Sequence, residues 1–231
     1  MSTLLLRLAA PLQSWGLDSK FERRLTMREP TKSGVIGMLA AALGRSRDDD
    51  VSDLARLRFG VRVDQPGQLL RDYHTARGEK TNVYVTERYY LADAVFLAGF
   101  EGDEDTTAML DEALNNPVYP LFLGRRSCPP EGRLSLGVRA SSLELALVNE
   151  EWLAGSWFKS KKPDGFKATI IIDADKPGAI RRRDIPVSYS QKRRVFEFRY
   201  LSVQTIDIKS DVKNNIDASA TDHDAWFELG G

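Results

Sequence analysis

The chain has 231 residues, 42% of them hydrophobic, and its 33 basic side chains balance 33 acidic ones. That length allows one large domain or two small ones around a real core, and the hydrophobic content excludes a disordered chain. With one cysteine and two histidines, an internal disulfide, a cysteine-rich zinc site and a multi-histidine metal centre are all excluded, and no cofactor is expected.

The balanced total hides an uneven distribution. Between Lys159 and Tyr200 there are twelve basic residues and five acids, whereas Glu101 to Asn116 holds six acids and no base. Such asymmetry suggests one face for a polyanion and another for water or a protein partner; for either segment alone, an unevenly charged solvated surface is the plainer reading.

In chain order, "STLLLRLA" predicts a buried strand. With no basic region ahead of it and Arg7 interrupting it, it reads as a first strand and not as a signal peptide. No apolar run reaches the roughly 18–20 residues of a membrane span, so the cytoplasm is the expected location and no membrane partner is expected. A polar connection, "LDSKFERRLTMREP", leads to "TKSGVIGMLAAALG", whose apolar positions recur at helical spacing. Thr31 or Ser33 caps this helix, Gly44 stops it, and its glycines and alanines form a thin face suited to lying close against a sheet.

"DDDVSDLARLRF" predicts a helical turn running into the strand "FGVRVDQ". "DYHTARGEKTNVYVTE" has the profile of a projecting hairpin or mobile loop with a turn at "RGEK", and "RYYLADAVFLAGF" reads as a long strand or a bent strand pair. "DEDTTAMLDEALNN" is a second helix with a favourable acidic start, and "RLSLGVRA" a further strand after the loop "PVYPLFLGRRSCPPEG". The order β-α-β-β-α-β predicts an α+β, ferredoxin-like fold, the plan also used by RNA-recognition modules. This domain covers residues 1–140, with a hairpin at about 75–87. Residues 141–231 are expected to form a small β-rich extension packed on it, made of short β segments ("ATIIIDA", "RVFEFRYLSVQTID") separated by basic turns.

Lys32, Ser33 and Gly34 stand where the first helix begins. The order is wrong for a nucleotide triphosphate loop, which needs glycines ahead of the lysine. Free backbone N–H groups, the positive dipole end, a lysine and a hydroxyl could still hold one backbone phosphate; the alternative is a capped helix with an exposed lysine. "LGRRSCPP" sets Arg125 and Arg126 in a proline-stiffened loop, and paired arginines suit phosphate oxygens or a stacked base. "RDYHTA" (Arg71, Tyr73, His74) and "TERYYL" (Arg88, Tyr89, Tyr90) interleave charge with aromatic rings, the combination that single-stranded nucleic acid requires. Cys128 reads as structural. The tryptophans Trp15, Trp152, Trp157 and Trp226 read as core or interface anchors.

"LRLAAPLQSWG", "REPTKSGVIGMLAAALG", "RDYHTA", "RYYLADAVF" and "PLFLGRRSCPP" occur in the order and approximate spacing of the Cas-five family of the type I-E CRISPR Cascade, which the chain resembles from about Leu4 to Pro130. The resemblance implies a fold of the RAMP superfamily with a thumb-like hairpin and a non-catalytic role in antiviral defence. It implies that the chain holds the 5′ handle of the CRISPR RNA and caps the backbone filament. The implied partners are the Cas-seven backbone subunit, the large Cas-eight subunit and the other Cascade subunits, with target DNA met only through the complex. Carried over, Arg28, Lys32, Ser33 and Gly34 would lie at the handle backbone. Arg71, Tyr73 and His74 would lie at the thumb base, with Arg77, Lys80 and Arg88 along it, and Arg125, Arg126, Ser127 and Cys128 would form the arginine loop.

The rival reading is enzymatic, because in the type I-C branch the Cas-five protein cuts precursor CRISPR RNA. Metal-free cleavage needs a base, an acid and a cation for the phosphorane charge, and Tyr73, His74 and Lys80 are the candidates. The only other histidine, His223, sits in an acidic segment, "TDHDAWFE".

Overall fold

The computed structural model describes residues 1–16, 23–77, 83–175 and 180–209. The first half runs through strand β1 (Ser2–Ala9), the two-residue strands β2 (Leu12–Gln13) and β3 (Arg23–Arg24), helix α1 (Lys32–Ala42) and the short helix α2 (Ser52–Arg56). Strands β4 (Arg58–Gln65), β5 (Gln68–Arg77), β6 (Val83–Ala92) and β7 (Val95–Gly102), helix α3 (Glu104–Asn115) and strand β8 (Ser135–Arg139) follow. The last part holds helices α4 (Leu143–Asn149) and α5 (Ser156–Ser160) and strands β9 (Phe166–Ala174), β10 (Ile180–Ser188) and β11 (Val195–Ile208).

Seven strands form one antiparallel sheet in the order β10-β11-β9-β4-β7-β1-β8. Strand β1 explains its own sequence. It pairs β7 on one side and β8 on the other, and both of its faces are covered. Leu4, Leu6 and Leu8 pack with Ile36 and Leu39 of α1 and Leu110 of α3, while Leu5 packs with Leu143 and Leu147 of α4. A strand buried on both faces reads as a continuous apolar run, which is what "LLL" is.

The long strand-like segment is a bent pair. It breaks at Asp93, whose φ of 55° turns the chain from β6, in a second sheet, into β7. That second sheet pairs β5 with β6 from Gln68↔Ala92 to Arg77↔Val83, and β2 and the parallel β3 also pair with β6. The hairpin is therefore longer than the expected 75–87, because its arms begin to pair at Gln68 and Ala92. Most of "RGEK", including Lys80, lies outside the described residues, as does the side chain of Arg77.

Three expectations are corrected. Beyond Ala140 the chain is not β throughout. Ser142 caps α4, and Leu143, Ala146 and Leu147 recur at helical spacing against the sheet. The basic "RRRD", expected as a turn, is the body of β10. The thin face of α1 is divided: Ala40 and Ala42 join Val35, Ile36 and Leu39 in the core against the sheet, while Gly34, Gly37 and Ala41 turn to a groove.

Candidate nucleic-acid interface

Helix α1 begins as expected, with Thr31 Oγ1 accepting the Gly34 N–H at 3.2 Å. The anion at its N-terminus belongs to the chain itself, since the Lys32 N–H donates to Asp184 Oδ2 at 2.9 Å. The Lys32 ammonium donates to the Leu57 carbonyl at 2.7 Å and to Asp173 Oδ2 at 2.9 Å, and the residue is only 4% exposed. Burial lowers its pKa, and Asp173 works against that loss. Arg199 completes the cluster, with Nε 2.6 Å from Asp184 Oδ1, Nη2 2.8 Å from Asp184 Oδ2, and Nη1 on Asp173. Two cations and two carboxylates thus tie β9, β10 and β11 to the head of α1. An ammonium sealed and paired in this way is not presented to a phosphate, which corrects the role expected of Lys32.

Ser33 and Gly34 are likewise structural at this point. The Ser33 carbonyl accepts the Tyr189 hydroxyl, and a Cβ on Gly34 would sit 2.8 Å from the buried Trp15 ring. Trp15 is held in place by its Nε1–H to Gln13, by the Thr26 hydroxyl accepting its N–H, and by the Met27 N–H to its carbonyl.

Along the flank of α1 the picture reverses. Gly34, Gly37, Ala40 and Ala41 line an open groove of about 1040 Å³, walled by Arg24 of β3, Arg45, Arg47, Tyr119 to Phe122, Gly124, Arg126, Tyr189 and Arg194. Five arginines and no carboxylate line it. Arg45 is held bidentate by Asp53 at 2.6 Å, and the other four have no ion-pair partner among the described residues. A concave surface of one sign focuses its field on an approaching anion, and guanidinium forks fit phosphate oxygens.

The loop "LGRRSC" closes on itself: Leu123 N–H donates to the Cys128 carbonyl, Cys128 N–H to that of Arg125, and Ser14 N–H to that of Leu123. Gly124 has φ +88°, and a Cβ there would lie 1.7 Å from the Ser14 carbonyl oxygen, so only glycine fits. This turn points its two arginines different ways. Arg126 is exposed and lines the groove. Arg125 leans inward, donating to the Arg24 carbonyl at 2.8 Å and stacking 4.6 Å from the Tyr90 ring centre. Burial pushes the Tyr90 phenol up, but hydrogen bonds from Arg125, Ser127 and Arg88 outweigh it and leave the phenol below its ordinary value. Arg88 Nε and Arg125 Nη1 are buried and have no partner among the described residues. Cys128 is buried beneath, where desolvation pushes its thiol up, and it presents nothing to a ligand.

On the hairpin, Arg71 binds Glu87 at 2.9 Å and lies 4.4 Å from the centre of the Tyr73 ring, which is 58% exposed. His74 Nε2 is 2.7 Å from Asp72 Oδ2. Tyr73 and His74 are successive strand residues and so face opposite sides of the ribbon. Arg28 is exposed ahead of α1. The structure thus brings Arg126 to the groove, Arg125 and Arg88 to the Tyr90 cluster, and leaves Arg71, Tyr73 and His74 on the hairpin. Sequence reasoning passed over Arg24, Arg47, Tyr119, Tyr189 and Arg194. The run "ERRLTMREP" and the basic "QKRR" were the available signals, but neither says which arginine reaches the groove. Of the tryptophans, Trp15 and Trp152 are buried, Trp157 is exposed, and Trp226 lies outside the described residues.

No helix among the described residues is long and apolar enough to cross a membrane. Residues 3–202 match the family described as CRISPR-associated protein (Cas_Cas5). The chain is 37% identical over 187 residues to the CRISPR system Cascade subunit CasD of Escherichia coli K12, covering 71% of this chain and 84% of that one. It is similar to a solved Cas protein (38% identity, TM-score 0.71, 90% of this chain and 98% of that chain). It is also similar to a chain of a CRISPR RNA-guided surveillance complex (32% identity, TM-score 0.75, 89% of this chain and 90% of that chain). The chain belongs to the Cas5 family of CRISPR-associated proteins.

Proposed function

We propose that this chain is a non-catalytic RNA-binding subunit of a type I-E Cascade, holding the 5′ handle of the CRISPR RNA in the groove beside α1. The observation that carries the reading is that groove, lined by five arginines and no acid, in a chain 37% identical to a Cascade subunit. Arg24, Arg126 and Arg194 take backbone phosphates. Tyr119 at the rim supplies a ring for an unstacked base, the usual way single-stranded RNA is held. The unpaired N–H groups of Arg88 and Arg125 beside Tyr90 are donors for an RNA oxygen.

The central strand order β4-β7-β1-β8, with α1 and α3 on one face, supports the ferredoxin-like, RAMP assignment for the first 140 residues. The β5–β6 hairpin is read as the thumb, reaching the adjacent Cas-seven subunit. The large subunit CasA (Cas-eight) and the other Cascade subunits complete the assembly in the cytoplasm, and target DNA is met only through it. Against cutting, Tyr73 and His74 are successive residues of β5 and project to opposite sides of it, an arrangement that does not favour a shared 2′-hydroxyl.

The test is to incubate the purified chain with labelled repeat RNA carrying the handle, in EDTA. Saturable, salt-sensitive binding that leaves the RNA intact is expected. Absence of binding, or cleavage that disappears in His74→Ala, would contradict the proposal.

A further inference from the structure

The C-terminal hairpin has a second face that neither the groove nor the core uses. Strand alternation sends Arg199 and Leu201 of β11 toward α1, where they are buried, and sends Phe198 and Tyr200 to the other side, 49% and 39% exposed. The register sets Arg183 opposite Phe198 and Arg181 opposite Tyr200, so all four share that outer face. The Arg181 guanidinium lies 3.8 Å from the Phe198 ring centre and that of Arg183 5.9 Å. Of the triplet "RRR", the middle residue pairs with Glu29, and Arg183 Nε donates to the Phe196 carbonyl at 3.0 Å; neither Arg181 nor Arg183 has a carboxylate partner among the described residues. On this side of the sheet α4 covers β4, β7 and β1, while Phe198 and Tyr200 on β11 stay exposed.

We infer that this outer face of β10–β11 is a second binding surface for single-stranded nucleic acid. Phe198 and Tyr200 stack successive bases, and Arg181 and Arg183 hold the flanking phosphates. The two rings are two strand residues apart, about 6.6 Å, which gives each base its own platform. Guanidinium groups without a carboxylate partner, lying on exposed rings, supply both things a nucleotide offers a partner for, a π face and a charge. An acidic protein would need the charges but not the rings. The patch faces away from α1, so this inference stands or falls separately from the groove.

The experiment uses the full chain carrying Arg24→Ala, Arg126→Ala and Arg194→Ala, which removes the three phosphate-binding arginines of the groove, with short fluorescein-labelled oligouridylate and oligothymidylate read by anisotropy. Residual, salt-dependent binding is expected. Phe198→Leu with Tyr200→Leu keeps the apolar bulk but removes the rings, and should weaken that binding roughly tenfold or more per ring. Arg181→Gln with Arg183→Gln should flatten the dependence of log affinity on log salt by about 0.7 per lost contact. Ultraviolet cross-links should map to Phe198 or Tyr200. A preference between the two probes assigns RNA or DNA as the polymer, and equal binding assigns either. No residual binding at low salt would overturn the inference. So would unchanged affinity in the ring variant, or polyaspartate binding as tightly as the oligonucleotides with no effect of the rings.

Discussion

Helix α1 meets charge in two ways. At its head, Lys32 and Arg199 are sealed against Asp173 and Asp184. Along its flank, Arg24, Arg126 and Arg194 stand round a groove whose wall holds no acid. Burial explains the difference. A charge removed from water must find an opposite charge and fill its hydrogen bonds, whereas an arginine facing solvent can stay unpaired until a phosphate arrives. Cationic residues within one stretch of sequence thus divide into fasteners of the fold and ligands for a polyanion, and only their depth tells them apart.

Breaking the fasteners should show this most strongly. Arg199→Ala leaves the buried Asp184 and the partly buried Asp173 facing one ammonium and should cost about 3–5 kcal/mol, read from the shift of the urea midpoint. Lys32→Met should cost less, because Asp173 keeps Arg199. A loss within about 0.5 kcal/mol for Arg199→Ala, typical of a surface substitution, would mean that the cluster does not fasten the C-terminal strands. Next comes the seat of the helix. Gly34→Ala drives a methyl group to 2.8 Å from Trp15 and should destabilise by about 1–3 kcal/mol, with a changed near-ultraviolet signal from the indole.

Tyr189 joins the two regions, since it lines the groove and gives its hydroxyl to the Ser33 carbonyl. Its loss in Tyr189→Phe should cost about 1 kcal/mol near neutral pH. Burial raises this phenol well above the ordinary value of 10.0. The unfolded chain therefore releases the proton first as pH rises. The stability it contributes is full below pH 10.0 and declines above it. Urea midpoints across that range should fall with pH in the parent chain and fall less in Tyr189→Phe.

The periodic elements of the fold were legible. The buried run of β1 and the helical spacing of α1 and α3 report local pattern against a covered face; the alternation of β4 marked a strand, but its polar positions Arg62 and Asp64 are buried too, paired with each other. Helix α4 has the same signals, a Ser142 cap and apolar Leu143, Ala146 and Leu147, but it is only seven residues long and sits among β segments. The site was legible in kind and less so in detail. Charge interleaved with rings pointed to single-stranded nucleic acid, but the partners that bury Lys32, Asp173 and Asp184, lie 141 and 152 residues away. No local spacing encodes a contact at that range. The same holds for Arg194, which reaches the groove only because β10 and β11 fold back along α1.

The most direct test of the division between fasteners and ligands is the salt dependence of handle-RNA binding by the parent chain and by Arg126→Ala with Arg194→Ala. Both arginines are exposed, so stability should stay within about 0.5 kcal/mol, while the slope of log affinity against log salt should fall by about 0.7 for each lost phosphate contact. An unchanged slope in this folded double variant would contradict the assignment of the groove as the RNA site.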